Sequence, residues 1–340
     1  MSDLKINNIT DRTGGSGPVI AGVSTVTSTG AFTVPVGPTE MRGGRGRAVV
    51  SGGFPSIKTS MDYIEIATTG NAVDFGNMSR DNAQGAIASS STRGVVGGYR
   101  SNSPSPNSMT SDMLYFNFSS QGGVSDFGDF NVAMYERQAS GNNTRGIFFG
   151  GIVSPVGQNT IEYITMASTG NASEFGDLNY ASSNCHATIA SPTRAVNITG
   201  AYSQCVIEYV TIATTGNAVH FGTTGRWNAE PGGASNSTRG IFCGGYVQPA
   251  QLNTIEYITI ATEGNTVDFG DMANEQNQQC AAASSTRCCI FGGNAGKPAV
   301  QINAIQYVTI ASTGNAADFG DMTTSRCQAQ ANSDVHGGIG

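Results

Sequence analysis

Short apolar runs recur along this chain at a nearly constant spacing, separated by glycine and small polar residues. The clearest set reads IEYITMA (Ile161–Ala167), IEYVTIA (Ile207–Ala213), IEYITIA (Ile255–Ala261) and IQYVTIA (Ile305–Ala311). Looser copies stand at Met61–Ala67 and Met113–Ser119. Apolar residues occupy both alternating faces of these runs, which predicts strands covered on two sides. A second set opens with arginine at Arg47, Arg93, Arg145, Arg194, Arg239 and Arg287, spaced by 46, 52, 49, 45 and 48 residues. Self-similarity at one period dictates the fold before any local motif does.

Each unit supplies four predicted strands. Strand 1 is rich in small residues, as in Gln84–Ser91, Cys280–Ser285 and Cys327–Ser333; strand 2 is the RGIFFGG type, strand 3 the IEYITIA type and strand 4 the NAVDFGDM type. Paired glycines end strand 2 at Gly52-Gly53, Gly97-Gly98, Gly150-Gly151, Gly244-Gly245 and Gly292-Gly293, and Thr199-Gly200 replaces them in the fourth copy. Such pairs let the chain leave through dihedrals closed to other residues. The turn ATTGN or ASTGN between strands 3 and 4 reads as a tight hairpin built on its Gly-Asn step.

Apolar strand, Gly-Gly, loop, Tyr and then a bulky aromatic (Phe75, Phe127, Phe175, Phe221, Phe269, Phe319) is an order that resembles the kelch motif. The body begins at Arg47 with a strand 2, and the far end carries a sixth strand 1, Cys327–Ser333, with no strand 2 after it. The expectation is an all-β fold: a six-bladed kelch-like β-propeller over residues 45–340 with Velcro closure, the C-terminal strand completing the first blade.

Residues 1–44 break the repeat. Glycine and proline punctuate two β-prone runs, Val19–Thr27 and Ala31–Val36, which suit an extended arm that becomes ordered by adding strands to another protein. The wording DLKINNITDRTGGSGPVIAGVSTVTSTGAFTVPVGPTEMRGGRGRAV, covering about the first 48 residues, resembles the N-terminal segment of virion structural proteins of tailed phages, marine cyanophages especially. That resemblance implies a virion location after assembly in the host cytoplasm, attachment to other virion proteins through residues 1–44, and homo-oligomers in the particle.

Composition narrows the chemistry. Charged residues make up 12% and the net charge is −7 with no basic cluster, so nucleic acid is not an expected partner. No apolar run is long enough for a membrane span. The seven cysteines are odd in number and contain no CxxC pair, so they read as reduced apolar fillers. Three scattered histidines, and the lack of GxSxG, phosphate-loop or HExxH motifs, leave no expected catalytic residue, cofactor or metal. Widely separated carboxylates keep a glycan-degrading enzyme as one alternative. A purely architectural virion subunit is the other.

The one-per-unit arginines are expected to bond neighbouring blades, with Asp129, Asp177, Asp271 and Asp321 as partners. Binding is expected where the units differ, in the strand 2–3 connections (Tyr99–Asp112, Ile152–Asn159, Tyr246–Asn253, Asn294–Asn303) and the strand 4–1 connections (NMSRDNA, DFNVAMYER, DLNYASSN, TTGRWNAEP, DMANEQNQQ). Alternating strand direction puts both sets at one end. The aromatic and arginine residues there, Tyr99, Arg100, Tyr135, Arg137, Tyr180, Arg226, Trp227 and Tyr246, form a platform for a host-surface glycan or protein.

Overall fold

The computed structural model describes residues 46–55, 58–102, 108–182, 187–199, 206–225 and 228–339. The expected arm, residues 1–44, lies outside them, and all of them belong to the second of the chain's two units, Met41–Gly340. The described residues form an all-β propeller without helices.

Its antiparallel strands join into six sheets. In order from the inside outward, the first sheet is Gln330–Ser333, Arg47–Ser51, Lys58–Glu65 and Val73–Asn82. The second is Ala86–Ser89, Arg93–Gly97, Ser108–Asn117 and Ser125–Met134, and the third is Gln138–Gly141, Arg145–Phe149, Val156–Thr165 and Ser173–Ser182. The fourth is Thr188–Ala190, Arg194–Thr199, Val206–Thr211 and Val219–Thr223. The fifth holds Gly232–Ser235, Arg239–Cys243, Ala250–Thr259 and Val267–Asn277; the sixth holds Cys280–Ala283, Arg287–Phe291, Ala304–Thr309 and Ala317–Asp321. In the first sheet the last strand of the chain pairs with the first described one, Ala48 opposite Ser333 and Ser51 opposite Gln330.

The core lies between sheets. Val49, Phe75, Val96 and Phe116 fill the space between the first and second, and Ala48, Val50 and Ile66 meet Cys280, Cys289 and Phe291 between the sixth and first. Four further clusters fill the other neighbouring pairs. Within each sheet a tyrosine of the third strand meets the edge of the phenylalanine ring on the fourth, as in Tyr257–Phe269 at 5.9 Å. Burying such a phenylalanine stabilises by about 2 kcal/mol. Inner strands of successive sheets touch, and the first sheet's meets both the second's and the sixth's. Small residues permit this: a Cβ on Gly233 would press on Ala187 of the neighbouring sheet.

One seam chemistry repeats at every junction. Each strand 2 arginine lies over the strand 3 tyrosine of its own sheet, as Arg239 does over Tyr257 at 4.4 Å, and donates to a main-chain carbonyl of the next sheet. Arg93 reaches Met166, Arg145 reaches Ile212, Arg239 reaches Ile310, and Arg287 of the sixth sheet reaches Ile66 and Ala67 of the first. Carbonyl oxygens, not the expected aspartates, are the acceptors. The strand 3–4 turn docks on the preceding sheet in the opposite sense. Gly314 N–H donates to the Phe269 carbonyl, while Asn315 Oδ1 accepts from Asp271 N–H at 3.0 Å.

This corrects the reading of the turn as a tight Gly-Asn hairpin. Its glycine does hold the expected positive φ, 157° at Gly70 and 156° at Gly314, but it stands in open space and the asparagine is an inter-sheet staple. The glycine that the seam requires is the one after phenylalanine. A Cβ on Gly270 would collide with the main chain of Gly314 in the next sheet.

Two sets of expected loops are partly strand. Short hairpins form within the strand 2–3 connections, where Arg100 pairs with Met109, Ile152 with Gly157, Tyr246 with Gln251 and Asn294 with Gln301. In the first, second, third and fifth sheets the outer strand runs on through the expected strand 4–1 loop. There it re-pairs after a register break, as at Lys58 with Asn82 and Leu252 with Gln276. Polar residues fill these extensions because one face is in water, so their sequences read as loops.

Candidate functional site at the axial end

Antiparallel strand direction gives the propeller two unlike ends. At one, the strand 1–2 and 3–4 turns are nearly uniform, and the C-terminal tail crosses the axis. His336 Nδ1 accepts from Gly338 N–H at 3.1 Å, so the proton sits on Nε2 and is donated to the Ser89 carbonyl at 2.9 Å. Gly337 N–H donates to the Ser235 carbonyl on the far side, and Arg47 N–H donates to Asp334. Burial pushes the imidazole down to about 4, which keeps it neutral at neutral pH.

At the other end, the chain enters each of five described inner strands through a residue in the left-handed region. These are Gln84, Glu136, Glu230, Gln278 and Gln328, with φ of 58°, 57°, 58°, 60° and 52°. A non-glycine residue there costs about 1 kcal/mol. Their main chains bond one another into an arc around the axis: Glu136 N–H donates to Gln84 O, Gln84 to Gln328, Gln328 to Gln278 and Gln278 to Glu230. The corresponding entry to the fourth sheet lies outside the described residues.

Side chains extend this collar. Gln84 Nε2 donates to Glu136 Oε1 at 2.6 Å. Glu230 accepts from Gln278 Nε2 at 2.8 Å and from Asn277 Nδ2 at 2.5 Å, and Gln301, Asn294 and Gln278 form a donor chain leading to it. Burial raises the Glu230 carboxyl above its usual range, and the amide donors oppose that shift. Beneath the collar, a cavity of about 60 Å³ runs between the inner strands of all six sheets, with His336 at its far end.

The expected binding residues divide. Tyr99 is fully buried against Val96 and Phe116, and burial raises its phenol to about 12, so it is a core residue and offers no ring to a surface ligand. Arg137 is also fully buried, ion-paired with Glu162 and lying over Phe130 at 4.2 Å. Arg100 and Tyr135 are brought together, with the guanidinium 3.7 Å from the ring centroid; Tyr135 is itself buried, so this stack closes its ring rather than presenting it. Tyr180 is exposed on the outermost strand of the third sheet, and Tyr246 is half-buried in its hairpin. Arg226 and Trp227 lie outside the described residues.

Sequence reasoning missed the collar because Gln and Glu carry no turn signature, although Gln84, Glu136, Gln278 and Gln328 each stand six residues after a buried Met or Phe (Met78, Phe130, Met272, Met322), which is a usable signal. It also missed the second residue of IEY. Glu162 and Glu208 turn back to accept the main-chain N–H of Asn131 and Asn179 in the preceding sheet. Asp62 at the same position pairs with the fully buried Arg326 at 3.0 Å. Among the described residues no three His, Cys, Asp or Glu side chains converge as metal ligands, and the five described cysteines are buried and unbridged. No protein-family model matches the chain, and neither does any curated protein sequence.

Proposed function

We propose that this chain is a tailed-phage virion structural protein, an outward-facing appendage or decoration held through residues 1–44, whose propeller is a binding module. The propeller is read as six kelch-like blades closed by the C-terminal strand. Six sheets, six inter-sheet cores and the Arg287 bonds from the sixth sheet to the first support that count. The observation that carries the functional reading is the unlikeness of the two ends behind a virion-like leading segment. One end repeats a single seam chemistry and is crossed by the tail; the other varies from unit to unit and leads into the axial cavity. Rigid scaffolds that concentrate variation at one end are built for recognition.

Mass spectrometry and imaging of purified particles test the location. The chain should be present at a fixed stoichiometry, with residues 1–44 against another virion protein and the collar facing outward. Its absence from washed particles refutes the virion reading, and a collar covered by other subunits favours the architectural alternative.

A further inference from the structure

The collar residues are unusual for what they are not. This chain holds 46 glycines, and at its other repeated left-handed position, the end of strand 2, it uses glycine: Gly52 (φ 69°), Gly98 (63°), Gly150 (50°), Gly244 (59°) and Gly292 (55°). At the entry to the inner strands, with the same backbone requirement, it places Gln or Glu at all five described positions. Glycine would relieve the strain. The side chains are therefore retained for something their main chain does not need.

Their surroundings indicate what. Gln84 Oε1, in a side chain only 7% exposed, has no partner in the collar. Ser140 Oγ and Gln330 Oε1, in residues 4% and 3% exposed, line the cavity below and are also unpartnered. Among the described residues no lysine or arginine lines that cavity, and both nitrogens of His336 are engaged. The cavity has room for a few water-sized groups and not for a sugar ring. Inside stand the unpartnered Ser140 hydroxyl and Gln330 amide oxygen, and amides with two carboxylates stand at the rim.

We propose that the collar and the cavity beneath it bind a neutral, hydroxyl-rich ligand: a sugar residue whose ring rests on the Gln/Glu rim and whose hydroxyl or hydroxymethyl arm enters the axis. A hydroxyl group donates and accepts at once, so it satisfies an amide N–H and a carboxylate or amide oxygen together. Glu136 and Glu230 disfavour an anionic sugar or phosphate. The proposal rests on reading the variable end as the binding end and is independent of the virion location.

The test is saturation-transfer NMR on the full chain with glucose, galactose, mannose and N-acetylglucosamine as probes, comparing wild type with Gln278→Gly, Gln84→Gly, Tyr180→Ala and, at the uniform end, the exposed Val267→Ser. The expected result is transfer from at least one sugar, weakened at least tenfold in both glycine variants and unchanged in Val267→Ser. The glycine variants lose collar hydrogen bonds to Glu136 or Glu230 together with the left-handed strain, so binding is compared well below the melting temperature of each variant. No transfer from any probe overturns the proposal, and so does wild-type binding by the glycine variants. Loss of binding only in Tyr180→Ala overturns the collar while keeping the variable end as the binding end. Stabilisation by calcium chloride, without sugar binding, overturns it in favour of a cation.

Discussion

The two ends of the propeller solve the same problem of joining sheets in opposite ways. At the uniform end, each junction uses an arginine over a tyrosine, a carbonyl acceptor, a turn that is Gly-Asn in all but the second sheet, where it is Gly122-Gly123, and a glycine that leaves room for it. At the variable end, the main-chain arc of the collar repeats near the axis, and outside it the junctions are joined by side chains that differ from unit to unit: Arg326 with Asp62, Arg137 with Glu162, or amides around Glu230. A contact made mostly by main chain tolerates little change, because every unit both offers and receives it. Contacts made by side chains can diverge one at a time, and that freedom places recognition at the collar end.

The largest expected effect breaks a variable-end junction. Arg326 is fully buried and reaches Asp62, the Ser60 carbonyl and Thr324. Arg326→Ala leaves Asp62 buried without its charge partner and should lower unfolding stability by about 3–5 kcal/mol. The double variant Arg326→Met with Asp62→Leu should recover most of that loss in denaturant titration. If the single variant costs under about 1 kcal/mol, the variable end does not carry its junctions through buried charge.

Next comes the uniform end. Gly270→Ala puts a Cβ into the Gly314 main chain across the seam and should cost about 3 kcal/mol, since neither backbone can yield without opening the seam. Gly314→Ala meets open space and should cost much less, although both glycines have similar φ. Equal losses would mean that backbone dihedral, and not the docking of one sheet on the next, dictates glycine here.

That pair of glycines also shows how far sequence carries. The repeat, the four strand types and the small-residue inner strands were legible because each follows from periodicity and side-chain size. The partners were not. Asn315 and its equivalents looked like hairpin residues, since a local turn explains Gly-Asn without reference to a neighbour 44 positions away. The strand 2 arginines were matched with aspartates by charge, whereas the available acceptors are carbonyls at the ends of the neighbouring strands, which no sequence pattern marks. Tyr99 and Arg137 looked like surface recognition residues because they stand in variable segments, yet the hairpins and extended outer strands bury them. The collar stayed hidden for the same reason: positive φ is expected at glycine, and the chain puts glutamine and glutamate there.

A smaller effect separates the ends by pH. The His336 imidazole is held down to about 4 against an ordinary value of about 6.5, so its folded form prefers to be neutral. The stability this contributes is present above about pH 6.5 and is lost as pH falls toward and through 4, to a ceiling of about 2–3 kcal/mol. Protonation would also take the acceptor from Gly338 N–H, while Asp334, two residues earlier, stays engaged with Arg47 N–H. His336→Gln should flatten the stability profile between pH 6.5 and 4 relative to wild type. Parallel profiles for the two proteins would show that the tail does not report on this end.

The smallest effect is the most diagnostic of closure. Arg287 stacks on Tyr307 at 4.6 Å and donates from the sixth sheet to the Ile66 and Ala67 carbonyls of the first, while Arg239 makes the same stack and bonds Ile310 between the fifth and sixth. Both guanidinium groups are partly exposed, so each substitution to alanine should cost only about 1 kcal/mol. What matters is equality. In a closed ring the seam between the last and first sheets is like any other, so Arg287→Ala and Arg239→Ala should agree within about 0.5 kcal/mol, and the double variant should show their sum. In an open array, Arg287 would have no seam to hold and its substitution would be silent. A silent Arg287→Ala beside a costly Arg239→Ala would therefore remove the sixth-to-first seam, and with it the axis on which the collar and the cavity depend.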